Sequence, residues 1–176
     1  MNFESKANRF HWLPQWQRTI ITRYPSLYLE PPPGSVKENE QSPGQPPEDR
    51  CNLRYGFECE AGWAKLIEEL SDTGTALVKA LRAFGLQDDA RVWPFIVKEK
   101  FGVLTWQGHD NLLPPFHSLW FGYVSWIRER SRHTCEVTGE LGELRKIGSR
   151  FQTLSKAEYE KALQRSKDQR RKHGES

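Results

Sequence analysis

The chain has 176 residues, with 26 Lys and Arg against 23 Asp and Glu, a formal net charge of +3 and seven tryptophans. That length can bury one core of ordinary size. A mean hydropathy of −0.77, with no apolar run near the ~20 residues of a spanning helix, excludes a helical membrane protein. The start, Met1 to Lys6, has an early acid and no apolar stretch, so no secretion signal is expected. Cys51, Cys59 and Cys135 stand at unrelated spacings. They predict three thiols in a reducing cytoplasm rather than a disulfide framework.

Within residues 1–30, Trp16, Ile20, Ile21 and Tyr24 follow Pro14 at i, i+4, i+5 and i+8. This spacing predicts a short amphipathic helix closed by Pro25, either folded back on the domain or held out for a partner. Residues 31–50 hold six prolines and two glycines with almost nothing apolar. They predict a flexible, partly polyproline-like linker. A single α+β core is expected over 51–164, followed by a basic disordered tail over 165–176. Trp63, Leu66, Ile67 and Leu70, then Leu77, Val78, Leu81 and Phe84, predict one long or two abutting helices with a possible break at Ser71–Gly74. Phe95 to Phe101, Gly102, and Val103 to Trp106 predict a hairpin turning at glycine, with Pro94 limiting the first strand.

Pro114-Pro115 opens the clearest helix, in which Phe116, Leu119, Trp120, Tyr123, Val124 and Ile127 keep the 3.6-residue period. Phe121 and Trp126 lie off that stripe, which fits either burial on a second side or an aromatic face offered to a partner. Leu144, Ile147, Phe151 and Leu154 predict a second short hairpin whose packing holds the C-terminal corner. A last helix begins near Lys156 and is expected to fray past Gln169. Residues 156–176 carry seven Lys and Arg against four Asp and Glu, which leaves residues 1–155 neutral and assigns the basic character to the tail.

In order, the motifs Arg23-Tyr24-Pro25-Ser26-Leu27-Tyr28, Gly56-Phe57-Glu58-Cys59 through Trp63 to Ile67, Val97-Lys98-Glu99-Lys100-Phe101-Gly102-Val103-Leu104, and Cys135-Glu136-Val137-Thr138-Gly139 to Arg145 resemble a family of small proteins of tailed phages and bacterial prophages. The likeness spans residues 20 to 160. It implies an α+β fold and a mobile-element origin, and it supplies no reaction to carry over. The family's pattern ends in a zinc knuckle, C-x-x-C-G … L-C-x-x-H. Here the four ligand positions read Cys135, Thr138, Ser155 and Glu158.

A structural zinc ion takes four nitrogen or sulfur ligands, and hydroxyls are poor substitutes. A Cys135, His133 and Glu158 set would still be one ligand short. The expectation is therefore a turn that persists without metal or other cofactor, with Ser155 and Glu158 recast as a helix-capping box worth ~1 kcal/mol. Elemental analysis of the purified chain is expected to find no stoichiometric zinc; one zinc per chain would overturn this.

Glu58-Cys59-Glu60 surrounds a thiol with acids, which raises its pKa and blunts a nucleophile. His109 and His117 show no convergence with other polar groups. No phosphate loop, nucleophile elbow or H-E-x-x-H occurs. The absence of catalytic signatures favours a non-enzymatic binding protein. The resemblance implies a phage- or prophage-encoded one that docks on a host complex in the bacterial cytoplasm, in its sharpest form inhibiting a defence system. Trp12, Trp16, Trp106, Phe121 and Trp126 are the candidate contacts. The alternative is a nucleic-acid-binding accessory protein using Arg165, Lys167, Arg170, Arg171 and Lys172.

Overall fold

The structure, a computed structural model, describes residues 10–29, 53 and 55–172, the last without its side chain. The predicted linker over 31–50, Cys51 and the chain ends lie outside the described residues. Helix α1 (Gln15–Arg23) starts behind Pro14, and α2 (Pro25–Tyr28) uses Pro25 at its first turn, where a missing N–H costs nothing. The sequence left the placement of this segment open. Its Ile20, Ile21, Tyr24, Leu27 and Tyr28 are buried in the same core as the rest of the chain.

Two polar contacts fix that docking. The buried Gln17 amide both donates to the Phe57 carbonyl and accepts the Phe57 N–H, each at 2.8 Å. The Tyr28 and Ser71 hydroxyls meet at 2.7 Å. Gly56 has φ +70°, and a Cβ there would stand 2.2 Å from Gln17 Oε1, so only glycine leaves room for the amide.

A 3₁₀ turn (Ala61–Trp63) leads into α3 (Ala64–Ala83), twenty residues without the predicted break. Ser71 returns its hydroxyl to the Ile67 carbonyl, 2.6 Å away, and so satisfies itself inside the helix. At Gly74 the Trp120 ring packs where a Cβ would sit 2.9 Å from its Cη2, so glycine lets the two helices approach.

Strands β1 (Val92–Lys100) and β2 (Val103–Asp110) form an antiparallel hairpin. β1 begins two residues before Pro94, and the register shifts between Pro94 and Ile96, a bulge that absorbs the proline. Phe101 and Gly102, with φ of 54° and 78°, make the two-residue turn. Positive φ at both positions matches the twist of the flanking strands.

Helix α4 (Pro114–Ser131) buries Trp120, Val124, Ile127 and Ser131. Leu119, predicted for the buried stripe, is exposed. Ser131 accepts the Leu104 N–H at 2.9 Å, which ties the helix end to β2. A second hairpin, β3 (Glu143–Ile147) and β4 (Arg150–Leu154), precedes α5 (Lys156–Lys172).

The architecture is α+β, with helices packed around two separate two-stranded antiparallel sheets. Of the four apolar residues expected to hold the C-terminal corner, Leu154 is buried, Ile147 is half-buried, and Leu144 and Phe151 are exposed. Among the described residues no helix is long and apolar enough to cross a membrane.

Candidate functional site

The five candidate aromatics separate into two groups. Trp106 is 9 % exposed and meets Trp120 edge-on at 5.3 Å, so it belongs to the core and offers nothing to a partner. Trp16 stacks on Phe57 at 5.7 Å and serves the docking of α1. Phe121 is half-buried between His117, at 4.8 Å, and Trp106, at 6.4 Å. Trp12 and Trp126 remain 53 % and 50 % exposed.

Trp126 is the one held in a constellation. Leu119, Tyr123, Trp126 and Arg130 recur at i, i+4, i+7 and i+11 along α4, a single helical face. The Tyr123 ring lies 5.3 Å from the Trp126 ring, and the Arg130 guanidinium sits 4.7 Å over it. Arg130 is itself anchored to Glu69 of α3 through its terminal nitrogens Nη1 and Nη2. A cation held over an indole face gains about 0.5–1 kcal/mol at such sites, and the anchor lowers the side-chain entropy lost on binding. The spacing of Leu119 and Tyr123 reads as core, yet Leu119 is exposed and Tyr123 only half-buried.

A hydrogen-bonded turn forms at Cys135. The Gly139 N–H reaches the Cys135 carbonyl at 2.9 Å, with Gly139 at φ +77°, and the Cys135 N–H reaches the Glu140 carbonyl at 2.7 Å. Burial opposes ionisation of the fully covered thiol. Hydrogen bonds from the Thr138 hydroxyl and from the N–H groups of Ser155, Thr138 and Val137 outweigh it and hold the thiol below its ordinary pKa.

Thr138 and Ser155, two of the other three candidate positions, thus act on the thiol by favouring its ionised form. The cap forms in part only. Ser155 Oγ accepts the Glu158 N–H at 3.4 Å, but the Glu158 carboxylate pairs with Lys161 at 2.7 Å. No group of three or more His, Cys, Asp or Glu side chains is arranged to hold a metal ion among the described residues.

Glu136, beside that cysteine, is buried. Its Oε1 accepts the Glu60 N–H at 3.3 Å, and its carbonyl accepts the Gly62 N–H at 2.7 Å. Burial, with added repulsion from Glu99 and Glu60, raises its pKa to about 7, against the Glu60 N–H and the Gln152 amide. Cys59, half-buried nearby, is pushed far above the usual thiol range by burial and then by Glu136, Glu60, Glu58 and Glu99. A thiol so suppressed is a poor nucleophile.

Asp110, whose side chain is almost fully buried, orients His117 through Nδ1 at 3.0 Å, while His109 packs on Trp93 and Phe95 instead. The two histidines therefore do not form one site, and no serine or cysteine hydrogen-bonds to His117 among the described residues.

The basic residues proposed for nucleic acid lie on α5, which continues to Lys172, past Gln169 and through most of the expected tail. Arg165, Lys167, Arg170 and Arg171 are exposed and form no ion pair among the described residues. No family model matches the chain, and no curated protein or solved structure matches it.

Proposed function

We propose that this chain is a non-enzymatic binding protein that docks a partner protein on the outer face of α4, centred on Trp126. The observation that carries the reading is an indole half open to solvent yet fixed between Tyr123 and the Glu69-anchored Arg130. Tryptophan, tyrosine and arginine are the residues that concentrate binding energy in protein interfaces, and exposed Leu119 extends the apolar surface beside them. The suppressed Cys59 thiol and the lone His117–Asp110 pair support binding over catalysis. The phage resemblance makes a bacterial host complex the partner class, with inhibition of a defence system its sharpest form.

The test is affinity capture from nuclease-treated bacterial lysate, followed by titration of the captured protein against wild type and Trp126→Ala. Wild type is expected to retain a stoichiometric partner, and Trp126→Ala to weaken it about thirtyfold or more. Because the ring is half exposed, thermal stability of the variant should stay within about 1 kcal/mol of wild type. Equal affinity of the two proteins for the partner would overturn the reading.

A further inference from the structure

A second surface lies where the two hairpins meet. Phe101 stands at the tip of the first with its backbone at φ 54° and its side chain 71 % exposed. Bulky side chains rarely adopt that region, and no burial compensates here. The turn rests on the second hairpin: Thr153 donates its hydroxyl to the Gly102 carbonyl at 2.6 Å, and a Cβ on Gly102 would meet the Leu144 side chain and the Gln152 backbone.

Strand alternation and the pairings Lys146↔Phe151 and Leu144↔Thr153 place Leu144, Lys146, Phe151 and Thr153 on one face of that hairpin, the face that receives Gly102. The exposed Phe101 ring therefore stands one residue from the point where the first hairpin rests on the face that carries exposed Phe151. Each ring carries a lysine over it, Lys100 at 5.8 Å from the Phe101 centroid and Lys146 at 5.7 Å from that of Phe151.

Charge points the same way. Residues 143–172 hold ten Lys and Arg against four Asp and Glu, while the rest of the chain holds sixteen against nineteen. The excess of cations thus includes the second hairpin as well as α5, in an otherwise acidic chain. A polyanion complements it. A phenyl ring beside an ammonium suits an unpaired base next to its phosphate, because every base has a face to stack while a duplex hides its faces.

We infer that the surface formed by Lys100, Phe101, Leu144, Lys146 and Phe151 binds single-stranded nucleic acid. It is separate from the α4 face and does not depend on a protein docking there.

The experiment is fluorescence anisotropy of the full chain with a labelled oligothymidylate of about twelve nucleotides, a duplex of equal length, and anionic phosphatidylglycerol vesicles, at about 50 mM salt. Binding should be tightest for the single strand. Phe101→Gly, which removes the ring and suits the left-handed turn, should keep the fold and weaken binding about tenfold, as should Phe151→Ala. Lys146→Gln should lower the slope of log affinity against log salt by about 0.7.

Absence of binding, equal affinity for the duplex, or a Phe101→Gly protein that binds as well as wild type would overturn the inference. Vesicle binding without oligonucleotide binding would overturn it in favour of a lipid surface.

Discussion

Gln17→Ala is expected to lower the stability of the chain by about 3 kcal/mol, although position 17 lies in a helix that sequence alone could have placed in solvent. Its amide is the hydrogen-bond partner of both the N–H and the carbonyl of Phe57, and the site is closed to water. Truncation leaves two buried backbone groups orphaned, at about 1–3 kcal/mol each. For a chain of this size the melting temperature should fall roughly 6–12 °C.

Exposed Arg18→Ala is the control and should be near neutral. Gly56→Ala should cost a similar amount, since its Cβ would displace the same amide oxygen. The double variant should cost clearly less than the two singles together, because both break one interaction. A Gln17→Ala protein that melts within 2 °C of wild type (a shift of roughly 1 kcal/mol or less) would show that the side chain is not seated against Phe57.

Glu136 makes stability depend on pH in the direction opposite to an ordinary carboxylate. Its folded-state pKa, raised to about 7 by burial and by Glu99 and Glu60, exceeds the unfolded value of 4.5. The folded protein therefore binds the proton more tightly. This contribution is fully present below pH 4.5 and is lost as pH rises through 7, amounting to about 2–3 kcal/mol by pH 8. Urea midpoints measured from pH 5.5 to 8.5 should fall with rising pH. Glu136→Gln, which cannot ionise and keeps an oxygen for the Glu60 N–H, should flatten the profile and be the more stable protein at pH 8. Parallel profiles for the two would sink the assignment.

The local grammar of the chain was readable because its causes are local. The Trp63, Leu66, Ile67 and Leu70 stripe, the Gly102 turn and the Pro114-Pro115 opening each act within one element. Burial was less readable, because it depends on what covers a face. Trp106 and Trp126 look alike in sequence, yet β2 turns one ring into the core against Trp120 while α4 leaves the other outside. Leu119 keeps the period of the buried stripe, but the fully buried arc of α4 runs through Trp120, Val124, Ile127 and Ser131. The polar residues that fasten the fold, Gln17, Ser131 and Glu136, gave no signal, since their partners lie 27 to 76 positions away.

The candidate sites divide in the same manner. Charge counting located a basic C-terminus but assigned it to the tail alone, because the neutral balance of residues 1–155 masks Arg145, Lys146 and Arg150 on the second hairpin. Sequence by itself determined the element types, the two hairpins and the turn around Cys135, where the short spacing and Gly139 govern the backbone. Only the tertiary structure decided which aromatics face solvent, that the N-terminal helix joins the core, and that the turn of the first hairpin rests on the second. Those outcomes depend on long-range packing, and spacing along a chain carries no information about which distant segment arrives to cover a side chain.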